Sequence, residues 1–181
     1  MSMPSFVPEN YVLPTSGGGN FTKLQVGENR LRILSPLPLI VWQYWNTDGK
    51  PVRFPLDQRP TNPANIREGE KVKQCWFQAV YNYDTKAVEV WEVSQVGIIS
   101  AIVSYARHED YGHPTGYGYT ITKAGSGKDT TYAVLAGVPK PLPDAVAELA
   151  AKTHVNLNAI LTGENPFEAV LTEADSDDLP F

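Results

Sequence analysis

The sequence of 181 residues predicts a mainly β fold, in which five or more short antiparallel strands close, wholly or in part, into a small barrel. Short segments that alternate apolar and polar residues, or are dense in Val, Trp, Tyr and Phe, recur along the chain with turn residues between them. Helical patterns do not alternate with these segments, which argues against a layered α/β sheet. One or two short helices complete the predicted fold.

The composition divides the chain into three regions. Residues 1–20 contain three prolines and the run Ser16-Gly17-Gly18-Gly19, which favours a flexible amino-terminal arm. Residues 21–163 are expected to form one domain, because two domains in a chain of this length would each have a small core. Residues 164–181 show no periodicity, and we expect a disordered acidic tail.

The first predicted strand spans residues 29–34, where Leu31 and Ile33 alternate with Arg30 and Arg32. This period-2 pattern is typical of a strand with one apolar and one charged face. Two prolines follow closely and are expected to end the strand.

A hairpin is predicted next. Residues 39–45 are apolar and aromatic enough for a second strand, and Asp48-Gly49 offers the positive φ angles of a tight turn into residues 50–54. Residues 55–69 are rich in Pro, Asn, Asp and Arg, which indicates a long loop. Long loops in compact domains are frequent binding sites.

The second half of the domain is predicted to contain strands and two helices. Residues 72–83 and 87–93 should form the central hairpin around a short turn. Residues 95–107 place isoleucines at helical spacing and predict an amphipathic helix. Residues 117–123 and 131–135 read as two further strands joined by a loop, and a short helix is expected over residues 143–152, starting at Pro143 or Asp144.

Charge is distributed unevenly along the chain. The net charge of -5 would by itself argue against nucleic-acid binding. However, residues 164–181 contain six acidic residues and no Lys or Arg, so residues 1–163 hold 15 basic against 14 acidic groups. Residues 20–73 contain nine basic and five acidic groups. The sequence therefore predicts a basic amino-terminal half and an acidic end.

Several protein classes are disfavoured by the sequence. No stretch approaches the ~20 apolar residues of a membrane helix, and the first residues resemble no signal peptide, so we expect no membrane partner and a cytoplasmic location. Cys75 is the lone cysteine, which excludes an internal disulfide and makes a cysteine-based zinc site improbable. No spacing indicates a catalytic triad, so the protein is not expected to be an enzyme.

The carboxyl end combines acidic side chains with an apolar hook that a basic-rimmed pocket could hold. Its residues expected to bind a partner are Asp175, Asp177, Asp178, Leu179, Pro180 and Phe181. This tail resembles the carboxy-terminal peptide of bacterial single-stranded DNA-binding proteins, a run of aspartates followed by Ile-Pro-Phe, with Leu179 in place of isoleucine. The resemblance implies recruitment of replication or recombination proteins. The alternative is a solubilising tail without a partner.

The domain carries a second resemblance. Residues 23–34 (KLQVGENRLRIL) resemble the first core strand of bacteriophage single-stranded DNA-binding proteins of the T4-like class, and residues 90–93 (VWEV) and 125–134 (GSGKDTTYAV) are similar to their later blocks. This resemblance implies an OB-fold that binds single-stranded DNA. The T4 protein also holds a structural zinc through Cys and His, a set that this chain does not supply. We therefore expect neither a metal nor another cofactor.

Single-stranded DNA binding requires cations for the phosphates and aromatic faces for the bases. The candidate cations are Arg30, Arg32, Lys50, Arg53, Arg59, Arg67, Lys71 and Lys73. The candidate stacking platforms are Trp42, Tyr44, Trp45, Trp76, Phe77, Tyr81 and Tyr83. About half of these aromatic residues should belong to the core. Trp76 and Phe77, as neighbours in one strand, must point to opposite faces.

Two other clusters favour ordinary structure over chemistry. Residues 124–130 resemble a phosphate-binding loop, but Thr122 stands where the leading glycine is needed and Asp129 replaces the magnesium-binding hydroxyl, so a turn is expected. His108, Glu109, Asp110 and His113 are polar enough to bind metal, yet a solvated helix end is the preferred interpretation.

The expected function is sequence-independent coating and protection of single-stranded DNA in bacteriophage replication, recombination and repair, with partners recruited by the tail. Self-association on the DNA is left open. The alternative is a phage regulatory or interaction protein that does not bind DNA and whose acidic end mimics it.

Overall fold

The structure, a computed structural model, describes residues 21–167. Within that range, seven strands form one antiparallel sheet, joined by two α-helices and three short 3₁₀ helices. The strands are β1 (Gly27–Ile33), β2 (Leu39–Trp45), β3 (Pro51–Pro55), β4 (Lys73–Asn82), β5 (Ala87–Val93), β6 (Gly118–Ala124) and β7 (Thr131–Ala136). The helices are α1 (Val96–Arg107) and α2 (Asp144–Lys152), with 3₁₀ helices at Pro114–Gly116, Gly127–Asp129 and Leu157–Thr162.

The long strand β4 organises the sheet. One of its edges pairs with β5 over residues 76–82. Its other edge pairs with β2 near Lys73–Phe77 and with β1 near residues 80–82, so β1 and β2 lie end to end beside it. The prolines between β1 and β2 cannot donate ladder hydrogen bonds, which accounts for the break. Outside this frame, β3 pairs with β2, β6 with β1, and β7 with β6.

The predicted mainly β, antiparallel fold is confirmed, but the sheet is open and does not close into a barrel. Closure into a barrel would require the edge strands β5 and β7 to pair with each other. They do not pair in residues 21–167. Instead, α1 follows β5 and packs against β7. The sequence predicts strands correctly here because alternation is local, whereas closure depends on how far the sheet curls.

The inner face of the sheet carries the first core. Its buried residues are Leu31, Ile33, Val80, Trp91, Val93, Ile98, Ile102, Tyr117, Tyr119, Ile121 and Ala136. Ile98 and Ile102 are one helical turn apart on α1, so both reach the sheet from the same helix face. Burial raises the pKa of the Tyr117 and Tyr119 hydroxyls.

A second, smaller core covers the outer face of β2, β4 and β5. Val41, Cys75, Phe77 and Val90 pack there against Ile160 from the 3₁₀ helix Leu157–Thr162. Trp76, the neighbour of Phe77, packs instead against the first core, so the prediction that the two point to opposite faces is confirmed. Burial, reinforced by the nearby Glu92, raises the pKa of the Cys75 thiol.

Element boundaries differ from the predicted ones by only a few residues. Gly49 has φ +73° at the predicted turn between β2 and β3, and Lys86 has φ +57° in the turn of the central hairpin. The chain from 56 to 72 is the predicted long loop. The 3₁₀ helix near the end of the domain has no counterpart in the sequence prediction, because its apolar residues follow no clear period.

The predicted arm at residues 1–20 lies outside the described residues, and so does the predicted tail at 164–181 except for its first four residues. In residues 21–167, no helix is long and apolar enough to cross a membrane.

Candidate nucleic-acid interface

The long loop is fastened to the β2–β3 hairpin by backbone hydrogen bonds. The amide of Thr47 donates to the carbonyl of Asn65 at 2.9 Å. The amide of Arg67 donates to the carbonyl of Trp45, also at 2.9 Å. An isolated bridge joins Asn46 to Ile66 between them. The loop thereby pairs with the chain at the end of β2, beyond the first residue of β4.

An open cleft of about 580 Å³ results, which we call the loop cleft. It is lined by Arg59, Pro60, Thr61, Asn62, Pro63, Ile66, Glu70, Lys71 and Val72. Arg59 and Lys71 contribute positive charge, and Glu70 is the acidic residue among the lining side chains. Glu70 accepts a 2.6 Å hydrogen bond from Arg67 Nη2, so its charge is already paired. The cleft is therefore positive overall.

An arginine stacks on a tryptophan beside this cleft. The Arg59 guanidinium carbon lies 4.5 Å from the ring centroid of Trp42. The indole Nε1 of Trp42 donates to the carbonyl of Leu56 at 2.8 Å, which fixes the ring against the start of the loop. Arg59 is exposed, so the pair presents a flat cationic surface to solvent.

A second, looser stack lies at the end of β2. The Arg67 guanidinium is 5.8 Å from the Trp45 ring centroid. Alternation along β2 places Trp45 and Trp42 on opposite faces of the hairpin. Both rings are predicted stacking platforms, and of the two it is Trp42 that contacts Arg59, a residue that lines the loop cleft.

Two of the predicted stacking platforms are buried in the interior. Tyr44 is 3% exposed and packs near Phe54, and its hydroxyl donates to Asn65 Oδ1 at 2.7 Å. Phe77 is 0% exposed in the second core. A ring without solvent contact cannot stack on a base, so neither residue is a stacking platform.

Replacing Tyr44 with Phe tests whether Tyr44 stabilises the fold without contacting DNA. The substitution removes the hydrogen bond to Asn65 and should lower the free energy of unfolding by about 1 kcal/mol. Affinity for oligothymidylate should stay unchanged, because the ring itself remains buried. Urea unfolding and an oligonucleotide titration measure the two quantities. If the variant lost affinity for DNA while its stability stayed unchanged, Tyr44 would be part of the binding surface.

Arg53 serves the second core rather than a groove. Its Nε donates to Gln43 Oε1 at 2.8 Å, and its guanidinium carbon lies 5.1 Å from the centroid of the Phe77 ring. Its Nη1 donates to the carbonyl of Ile160 at 3.3 Å, which attaches the 3₁₀ helix to β3. Partial burial lowers the pKa of Arg53, and the nearby Glu92 opposes this shift.

The predicted cations and stacking platforms are divided between the two faces of the sheet. Arg32 pairs with Tyr81 of β4, whereas Ile33 pairs with Val80, so Arg30, Arg32 and Tyr81 share the outer face. Trp42 pairs with Gln74, which lies on the inner-face side of β4.

Arg32 also differs from the prediction in burial. It is 2% exposed, because the chain near residues 115 and 140 covers it. It is therefore not a free groove cation.

The other candidates lie at several places on the molecule. Lys50 is exposed at the hairpin turn, and Lys71 lines the cleft. Lys73 is exposed and pairs with Gln43 on the outer face. Trp76 is partly buried against the first core, and its Nε1 donates to Gln74 Oε1 at 3.1 Å.

The phosphate-loop-like segment is a turn between β6 and β7, as predicted, with a 3₁₀ turn at Gly127–Asp129. His108 Nδ1 lies 3.9 Å from Asp110 Oδ2 at the exposed end of α1. Residues 21–167 contain no group of three or more His, Cys, Asp or Glu arranged to hold a metal. The tail residues from Asp175 to Phe181 lie outside the described part of the chain.

Three residues that shape these two surfaces were not predicted from the sequence. Asn65 and Glu70 shape the loop cleft, and Lys140 lies beside Arg30 on the outer face. The Pro- and Asn-rich composition of the loop was the available signal for the first two. A lone lysine between prolines gives no such signal.

No protein-family model, curated protein or solved structure gives a significant match to the chain, so the site rests on its own geometry.

Proposed function

We propose that the protein binds single-stranded DNA with little sequence preference through the loop cleft and the Arg59–Trp42 pair, and so coats and protects the strand during replication, recombination or repair. The carrying observation is the exposed Arg59 guanidinium, held 4.5 Å above the Trp42 ring at a cleft whose acidic side chain is already paired. Such a surface offers a flat face to a base and positive charge to the neighbouring phosphates, without reading base edges.

Strand pairing supports an OB-type arrangement in which β1 and β2 together act as the first strand. The four others are then β4, β5, β6 and β7, and the sheet remains partly open. In OB-folds, the loop between the first two strands and the loop between the last two contribute to oligonucleotide binding. On this correspondence the first of these is the segment between β2 and β4, which contains the loop cleft.

The tail has a separate role in this proposal. We propose that its acidic residues and Leu179-Pro180-Phe181 recruit replication or recombination proteins while the domain holds the DNA.

Titration with oligothymidylate tests DNA binding. The fluorescence of the four tryptophans should be quenched at ~50 mM salt, and affinity should fall as salt rises, with a logarithmic slope of about 0.7 per phosphate contacted. Replacing Arg59 and Lys71 together with Gln should reduce that slope by about 1.4, since two cations are lost.

The matched control removes two exposed cations from the helix ends, through Arg107→Gln and Lys152→Gln. This variant carries the same net charge, so a specific cleft predicts a normal slope for it. No binding by the unsubstituted protein at ~50 mM salt would rule out the proposal and favour an interaction protein that does not bind DNA.

A further inference from the structure

We infer a second phosphate-binding site, an outer-face groove between β1 and the segment after β7, which contacts a DNA strand long enough to pass from one face of the sheet to the other. This inference rests on the proposed function and adds a path for the strand. The groove has a volume of about 240 Å³ and is lined by Arg30, Tyr83, Gly118, Gly137, Val138 and Lys140, among others.

Two exposed cations flank the groove. The Arg30 guanidinium lies 5.1 Å from the Tyr83 ring centroid, which orients it over an aromatic face. The amide of Lys140 donates to the carbonyl of Gly116 at 2.9 Å, and this bond holds the Lys140 backbone beside β6. Within residues 21–167, no acidic side chain lines the groove.

The floor of the groove is main chain. Gly118 pairs with Arg32 in the β1–β6 ladder, and the amide of Gly137 donates to the carbonyl of Gly118 at 2.8 Å. A Cβ on Gly137 would lie 3.4 Å from that carbonyl oxygen, in van der Waals contact, so a side chain there would cover the main chain that glycine leaves open. Two adjacent glycines therefore leave a shallow floor that a phosphate and its sugar can approach.

A buried charge contacts the backbone of Lys140, which lines the groove. Arg32 is 2% exposed; its Nε donates to the carbonyl of Thr115 at 3.0 Å and its Nη2 to that of Lys140 at 2.9 Å. Its Nη1 is buried and has no hydrogen-bond partner in residues 21–167.

A guanidinium removed from water is costly unless an anion or full hydrogen bonding compensates it. Among the described residues, no carboxylate forms an ion pair with Arg30, Arg32 or Lys140. Asp84 contacts Arg30 only at the backbone, where its Oδ2 accepts from the Arg30 amide at 3.3 Å. Arg30 and Lys140 thus have no ion-pair partner among the described residues, and a phosphate group in the groove supplies one, while the covered Arg32 adds positive charge nearby.

The position of the groove determines which DNA can use it. The loop cleft lies on the face that carries Trp42, whereas Arg30 and Arg32 belong to the opposite face. A short oligonucleotide bound at the cleft cannot also occupy the groove. A longer strand can continue around the sheet and make both contacts.

Oligonucleotide length therefore provides the test. Oligothymidylates of about 6 and about 16 nucleotides, both within the range of OB-fold site sizes, are titrated against the unsubstituted protein and the variant Arg30→Gln with Lys140→Gln. Both side chains are exposed, so the variant should fold normally. For the longer strand, we expect roughly tenfold weaker binding at low salt and a slope smaller by about 1.4. The shorter strand should bind unchanged.

The outcomes separate the two proposals. Equal losses for both lengths, or no loss for either, would overturn the second site while leaving DNA binding intact. The variant Arg107→Gln with Lys152→Gln should behave as the unsubstituted protein at both lengths, and a length-dependent loss there would also overturn the assignment. If the unsubstituted protein binds neither strand, the proposed function is wrong, and the assignment of DNA to the groove is wrong as well.

A competition arm distinguishes backbone phosphate from free phosphate. Inorganic phosphate is added to the longer complex while sodium chloride is lowered to hold the ionic strength constant. A site for the DNA backbone should show no displacement beyond the general salt effect. Selective loss of the Arg30 and Lys140 contribution at millimolar phosphate would assign the groove to the free ion instead and overturn the proposal.

Discussion

Replacing Trp42 with Ala should weaken binding to oligothymidylate by about 5- to 150-fold, the equivalent of one lost base-stacking contact of roughly 1–3 kcal/mol. Trp42 is both the ring on which Arg59 lies and, through its bond to the Leu56 carbonyl, an anchor for the start of the loop. Without the indole, Arg59 regains its freedom and must be ordered again when DNA binds.

The salt dependence of this variant is the informative quantity. Stacking is little screened, so the loss should be similar at about 50 and 200 mM salt, and the slope should match that of the unsubstituted protein. Anisotropy of a labelled oligonucleotide measures affinity without relying on the deleted fluorophore.

Two companion variants and a fold check complete this experiment. Trp42→Phe keeps an aromatic face and should recover most of the affinity, whereas Arg59→Ala should reduce affinity and slope together. Thermal unfolding monitors the fold. A Trp42→Ala protein that melts normally and binds with full affinity would remove Trp42 from the interface.

Deleting residues 173–181 should abolish partner recruitment while leaving DNA affinity unchanged or higher. The deleted segment carries Glu173, Asp175, Asp177 and Asp178, whose negative charge near a basic surface competes with phosphates. Any gain in DNA affinity should therefore be largest at low salt. Pull-down of host or phage replication proteins and oligonucleotide titration measure the two effects.

Deleting Phe181 alone separates the apolar hook from the charge. Every acidic side chain remains, but the aromatic anchor is lost and the terminal carboxylate moves to Pro180. Recruitment should fail, and DNA affinity should stay nearly constant at all salt concentrations. Loss of DNA binding by the folded nine-residue truncation would contradict this division, because it would make the tail part of the DNA site.

Local sequence features were enough to predict most strands and helices. Arg30 to Ile33 alternate as a strand requires, Asp48-Gly49 forms the expected turn, and Ile98 and Ile102 bring one helix face to the core. Each of these patterns is contained within a few consecutive residues, so propensity and periodicity suffice to reveal it. The basic, aromatic composition of the first half is the basis on which a nucleic-acid surface is predicted.

The sequence by itself thus determined the element types, the main turns and the residue kinds available for binding. Only the tertiary structure decided which of them meet. Arg32 is covered by Thr115 and Lys140, which lie 83 and 108 positions away, and Phe77 is covered by Ile160. Strand register likewise placed Arg30 and Trp42 on opposite faces and left the sheet open. These outcomes depend on contacts between distant segments, about which the local period of a strand carries no information.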